Sequence, residues 1–103
     1  MITSSNLITT PTKLIEGTAS AAKAVTVAYF CNMADYEVSV NLYVVPAGSQ
    51  TVANHKIYNT LSVPPLDTVI VDTEKLVLDE GDAMWADCSV DNSIVSTISS
   101  VGI

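Results

Sequence analysis

The sequence predicts an all-β domain, a single antiparallel β-sandwich of jelly-roll-like form built from about seven to eight short strands. Three observations predict it. Apolar residues recur with a period of two, no segment carries a convincing helical period, and turn residues punctuate the chain at short intervals (Pro46 to Gln50, Pro64-Pro65, Asp79 to Asp82, Asp91-Asn92). Of the 103 residues 49% are apolar and only 15% charged, so there is enough apolar surface for a core and disorder is excluded.

Taken in order, Val38, Val40, Leu42 and Val44 alternate with mostly polar residues, the mark of a half-buried strand. Upstream, Lys23 to Cys31 reads as a second strand, with Val25, Val27, Tyr29 and Cys31 in one phase and the fairly apolar Ala24, Thr26, Ala28 and Phe30 in the other, which suits a central position. Asn32 to Asp35 is short enough to make the two a hairpin. After the loop opened by Pro46, strands are expected at Ile57 to Val63, ended by Pro64-Pro65, at Thr68 to Asp72 and at Lys75 to Leu78. Ala83 to Val90 puts Met84, Ala86, Cys88 and Val90 in one phase, and Ile94 to Val101 closes the chain with an ambiguous phase that implies a bulge or burial on both faces. Thr18 to Ala24 is alanine-rich but lacks a paired apolar face, and reads as a loop or at most one turn. Residues 1–12, Thr- and Ser-rich with isolated Ile2, Leu7 and Ile8, are expected to form an N-terminal arm or edge strand, and residues 13–103 the sandwich. The opening MITSSNLITT has neither a basic region nor a long apolar run, so a signal peptide is not expected. No stretch approaches about 20 continuous apolar residues, and no transmembrane helix is expected.

Composition also bounds partners and chemistry. Eleven Asp and Glu stand against four Lys with no Arg, a net charge of −7. Phosphate backbones and anionic membranes are bound by Lys and Arg, so neither nucleic acid nor a membrane surface is an expected partner. The single histidine, His55, sits in a predicted loop, and no nucleophile motif accompanies it; the expectation is an exposed loop histidine and no enzyme. Asp79, Glu80 and Asp82 are the best metal candidates, but the spacing of a calcium loop is missing, and a hairpin turn with Gly81 at positive φ explains them. One His and two Cys in separate strands offer no zinc spacing. The four glycines are isolated and cradle no phosphate. No catalytic residue, metal or cofactor is therefore expected. Cys31 and Cys88, both inside apolar strand patterns, are expected to be reduced core thiols.

If Met84, Ala86, Cys88 and Val90 face the core, Trp85 must face outward; by the same alternation so do Tyr43 and Val45, while Tyr58 lies opposite Ile57 and Leu61. Large amphipathic aromatics are enriched where proteins meet. Covering a sheet edge, or burial of the second phase too, would equally account for any one of them. With the low charge, they favour a chain whose outer face is partly covered by other subunits. The interface residues expected are Trp85, Tyr43 and Tyr58, with the arm residues Ile2, Leu7 and Ile8.

The runs VTVAYFCNMADYEVSVNLYVVPAGS and NHKIYNTLSVPPLDTVIVDTEKLVLDEGDAMWA and the closing IVSTISSVGI resemble small β-sandwich structural proteins of tailed bacteriophages. The resemblance covers most of the chain from Val25 and consists of strand and turn residues. It implies a virion protein assembled in the host cytoplasm, most concretely a capsid decoration or cement protein that stabilises the phage head. Its partners would be the major capsid protein or other virion proteins, and it would form a homo-oligomer, dimer or trimer. The alternative it implies is a tail-fibre or baseplate-associated domain that binds other tail proteins or a host-surface glycan. It implies no catalytic residues.

Overall fold

A computed structural model describes residues 2–18, 22–49, 52–71 and 76–102. Residues 19–21 of the alanine-rich stretch, 50 and 51 of the loop after Pro46, and Asp72 and Lys75, expected ends of two strands, lie outside the described residues. Among the described residues nine strands form: β1 (Ile2–Asn6), β2 (Thr12–Glu16), β3 (Lys23–Asn32), β4 (Val38–Val45), β5 (Lys56–Val63), β6 (Thr68–Val71), β7 (Leu76–Leu78), β8 (Ala83–Cys88) and β9 (Ile94–Gly102). A single 3₁₀ turn, Val52–His55, interrupts the loop between β4 and β5. One sheet has the order β1-β9-β3-β6, with β7 also on β3, and the other the order β2-β8-β4-β5. β6 pairs with Ala28 to Cys31 and β7 with Lys23 to Val25, so the two strands follow one another along the same edge of β3. Counted as one line, they leave two four-line antiparallel sheets whose strands interleave in sequence, the order of a jelly roll.

That order corrects the expected hairpin. β3 and β4 lie in different sheets, and Asn32 to Asp35 carries the chain across the sandwich. Short turn sequences permit either outcome, and what decides here is Asn32. Its side chain is buried, and its Nδ2 donates to the carbonyls of Tyr36 (2.8 Å), Val63 (3.1 Å) and Pro64 (3.2 Å), while its Oδ1 accepts the amide of Ala34 (2.9 Å). With two N–H groups for three carbonyls, one bond is shared. The backbone amide of Asn32 adds a bond to Asp67 O at 2.8 Å. One amide side chain thus ties together the β3–β4 and β5–β6 crossings.

Bulges set which residues reach the core. Between Val25 and Val27 the register of β3 on β9 shifts by one, with Thr26 the extra residue. Val25 points inward before the bulge; after it Ala28, Phe30 and Asn32 do, leaving Val27, Tyr29 and Cys31 on the outer face. The expected grouping of Val25 with Tyr29 and Cys31 is therefore broken. Cys31 is half-buried on that outer face, not in the core, while Cys88 is buried; both thiols are free. Burial pushes the Cys88 thiol up from its usual pKa. A bulge at Leu14 lets Leu14 and Ile15 both turn inward on β2, a strand with no alternation to announce it. β9 carries no bulge of its own on β1. Its inner phase mixes Ile94 and Ile98 with the buried Ser96 and Ser100, and these serines caused the ambiguous pattern.

The core runs between the sheets from Leu7 through Phe30, Val40, Leu42, Met84 and Ile94 to Ile98. Met84, Ala86 and Cys88 lie in it as expected, and Val90 packs against it. Leu7 does not belong to an arm: it is 0% exposed in the core, and its amide and carbonyl bond to Ile94 O and the Asn92 amide. Residues 2–6 form an edge strand on β9 instead.

Replacing Asn32 by Ala leaves three carbonyls and an amide at the crossings without their partner. Urea unfolding should show a loss of about 3 kcal/mol or more, above that of an ordinary hydrogen bond. Leu7→Ala should cost about 2–5 kcal/mol in the same assay, whereas Ile2→Ala on the exposed edge should stay within about 0.5 kcal/mol. Equal, small effects at both positions would restore the arm.

Candidate interaction surfaces

Two broad surfaces are available, the outer faces of the two sheets, and their chemistry differs. On the four-stranded sheet, the cross-strand neighbours Asn41 and Asp87, Tyr43 and Trp85, and Lys13 and Trp85 share the outer face. Tyr43 is only 4% exposed there. Its hydroxyl donates to Asp87 Oδ2 at 2.5 Å, and Asn41 Nδ2 donates to Asp87 Oδ1 at 2.8 Å. Both oxygens of a nearly buried carboxylate are thereby satisfied, as burial of a charge requires. Burial, the bond to Asp87 and the Asp87 charge together push the Tyr43 phenol up to about 12. Asn41 Oδ1 accepts the Thr60 amide at 2.8 Å, fixing the bulge where Thr60 adopts a φ of 58°. Lys56 Nζ lies 5.7 Å from the Tyr43 ring centroid and Lys13 Nζ 5.6 Å from that of Trp85, within cation–π range.

Trp85 faces outward as expected and is half-buried; its Nε1 is buried without a hydrogen-bond partner among the described residues. Beside it opens a cavity of about 300 Å³, lined by Lys13, Glu16, Val45, Ser49 and Gly81 among others. The turn that shapes one wall is the expected one. Gly81 has a φ of 83°, and the Asp82 carboxylate accepts the amides of Ala47 (2.9 Å) and Asp79 (3.2 Å), so it is occupied with backbone. No group of three or more His, Cys, Asp or Glu among the described residues could hold a metal ion. His55 is half-buried where an exposed loop residue was expected, its Nε2 lying 2.9 Å from Ser49 Oγ; among the described residues no carboxylate bonds the ring.

The five-stranded sheet presents a different surface. Strand pairing places Ile2, Ser4 and Asn6 of β1, Val95, Thr97, Ser99 and Val101 of β9, Val27, Tyr29 and Cys31 of β3, Thr68 and Ile70 of β6, and Val77 of β7 on its outer side. Among the described residues this face carries no charged side chain. Ile2 is 74% exposed and Ile70 59%, with Val101, Val77 and Tyr29 also exposed. Isolated exposed apolar residues are ordinary; a contiguous uncharged face is informative.

The six expected interface residues are therefore scattered. Trp85 and Tyr43 are cross-strand neighbours, but Tyr43 is locked under Asp87 and Lys56. Tyr58 is exposed on the bulged half of edge strand β5, Ile8 is exposed in the loop after β1 with its carbonyl bound to the Cys88 amide, Ile2 belongs to the other sheet, and Leu7 is core. Tyr29 and Ile70, the centre of the uncharged face, were not anticipated, because the bulge at Thr26 that turns Tyr29 outward leaves no mark in the alternation. No helix in the structure is long and apolar enough to cross a membrane. Comparison with known proteins finds no matching family model, no matching curated protein and no matching solved structure.

The Tyr43–Asp87 pair makes a pH-dependent contribution of definite sign. A phenol whose folded-state pKa is raised stabilises the fold while protonated, fully below its ordinary value of about 10, and loses that contribution as pH rises through about 12. Tyr43→Phe should lower stability at neutral pH by about 1–3 kcal/mol and flatten the decline between about pH 10 and 12. Thermal melts of both proteins across that range check it.

Proposed function

We propose that this protein is a non-catalytic structural subunit that seats the uncharged outer face of its five-stranded sheet on another protein. Its most concrete form is a capsid decoration or cement protein of a tailed bacteriophage. The uncharged face carries the reading. Among the described residues, a chain of net charge −7 has no carboxylate on one broad sheet surface while exposing Ile2, Tyr29, Ile70, Val77 and Val101 there, which suits burial against a partner. The phage assignment is supported by the sequence resemblance and, by fold-level analogy alone, by the jelly-roll strand order that capsid domains and lectins share. Such a subunit acts by mass action, each bound copy stabilising the shell by its binding free energy.

The second reading, a tail-fibre or baseplate-associated domain binding a host-surface glycan, is favoured by the cavity beside Trp85, where an aromatic, Lys13 and Glu16 lie together. The two readings predict different copy numbers in purified particles, hundreds for a cement protein and a few tens or fewer for a tail appendage. The double variant Tyr29→Lys, Ile70→Lys should fold with stability changed by about 0.5 kcal/mol or less per site, yet occupy particles at least about tenfold less than wild type. Undiminished occupancy would remove the face from the mechanism. Trp85→Ala should leave occupancy intact under the cement reading and abolish glycan binding under the other.

A further inference from the structure

The two sheets together present four edges, and three of them are blunted. β2 is bulged at Leu14 and carries Lys13 and Glu16. β5 is bulged twice along its pairing with β4, holds Thr60 at positive φ and begins with Lys56. The β6 and β7 edge is split into two short strands of four and three residues. Charges, bulges and short length are the devices that keep sheet edges from pairing with other chains. β1 has none of them. Its five residues, Ile-Thr-Ser-Ser-Asn, pair with β9 in unbroken register, without charge, proline or bulge. Among the described residues, no backbone hydrogen bond reaches β1 from any element except β9, so the opposite edge offers its N–H and C=O groups to a further strand.

We propose that this edge is a homodimer interface, with β1 of one copy pairing antiparallel to β1 of a second copy and joining the two five-stranded sheets into one. Symmetry fixes the register. Opposed residues in an antiparallel pair point to the same side of the sheet, so a two-fold axis normal to the sheet must place one residue opposite itself. Full overlap of the five residues makes that residue Ser4, with Thr3 opposite Ser5 and Ile2 opposite Asn6. Thr–Ser neighbours of this kind stabilise antiparallel pairs. Charge favours a second copy here over the acidic connections at the two ends of the sandwich. At −7 per chain, two copies repel wherever carboxylates meet, whereas β1 and the outer-face residues beside it on β9 are uncharged. The pairing would also join the two uncharged faces into one surface twice as wide, and the proposal stands independently of what that surface docks on. Five paired residues fall short of the roughly 1,200 Å² of a stable interface, so dimerisation should be concentration-dependent, half complete on the order of 100 μM.

The test uses Ser4, whose side chain is exposed on the outer face. Sedimentation equilibrium of the wild-type chain should show reversible dimerisation. Ser4→Lys and Ser4→Asp, which set like charges directly opposite each other, should each weaken it at least tenfold with unchanged thermal melts. An equimolar mixture of the two variants should recover it by pairing Lys with Asp. Hydrogen exchange of the wild-type chain should show amides of residues 2–6 gaining protection as concentration rises. The proposal is overturned if the wild-type chain is monomeric at about 1 mM, if both variants dimerise as tightly as wild type, or if the mixture recovers nothing. Should the variants fold poorly, exchange on the wild-type chain decides alone: protection of residues 2–6 that does not change with concentration counts against it. Tyr29→Lys, Ile70→Lys should dimerise normally, which separates this edge from the face proposed for particle docking.

Discussion

The sandwich depends on a single buried amide. In a strand order that alternates between sheets, nearly every connection must cross from one layer to the other, and each crossing exposes backbone groups that no ladder satisfies. Asn32 answers this for two crossings at once, reaching Tyr36 O on one side and Val63 O and Pro64 O on the other. The Ala34 amide on Oδ1 fixes which way the amide points. Leu66 at positive φ then returns a bond from its own amide to Ala34 O, so the β3–β4 and β5–β6 connections are tied to each other directly as well as through Asn32. Neither a hydroxyl nor a carboxylate could replace it, because the site needs two N–H donors and an acceptor on one short side chain.

This explains what the sequence could and could not tell. Period-two alternation locates β4 and β8 and their inner faces, since their register against each other is unbroken from Val40 to Val45. Alternation fails wherever a bulge adds a residue. After Thr26 the phase of β3 inverts, and at Leu14 it disappears, so Tyr29 and Cys31 were grouped with Val25, Cys31 was expected in the core, and β2 escaped notice. Nor does alternation say which strand is the partner. Asn32 to Asp35 looks like a hairpin turn because a crossing of similar length uses the same residue types, and only the long-range bonds of Asn32 distinguish them. Leu7 was misread for a related reason: its polar neighbours suggest an arm, but as the residue that continues β1 it points into the core.

The two outer faces show opposite treatments of the same problem. On the four-stranded sheet, polar and aromatic groups satisfy one another: Asp87 takes bonds from Tyr43 and Asn41, while Lys13 and Lys56 approach the Trp85 and Tyr43 rings. The exposed Lys13–Glu16 pair at 2.7 Å adds little energy but keeps charge along that edge. Aromatic content alone therefore does not measure what a face has to offer, because Tyr43 is consumed within its own network. On the five-stranded sheet, Tyr29, Ile70 and Val101 stay exposed, with no charged side chain beside them on that face among the described residues.

Charge placement gives that difference a direction. Asp35, Glu37, Asp67 and Asp91 lie in connections at the Asn32 end, and Asp79, Glu80 and Asp82 at the opposite end, so most carboxylates among the described residues sit at the two rims. Between copies of the chain this repulsion acts over about 8 Å at physiological ionic strength, far enough to penalise rim-first encounters and leave the flat face and the β1 edge as the approaches of least cost. Acidity of this kind opposes self-association of an unusually apolar chain while making some orientations of approach less costly than others. The same −7 disfavours phosphate-bearing partners and would favour an approach by protein at the uncharged surfaces.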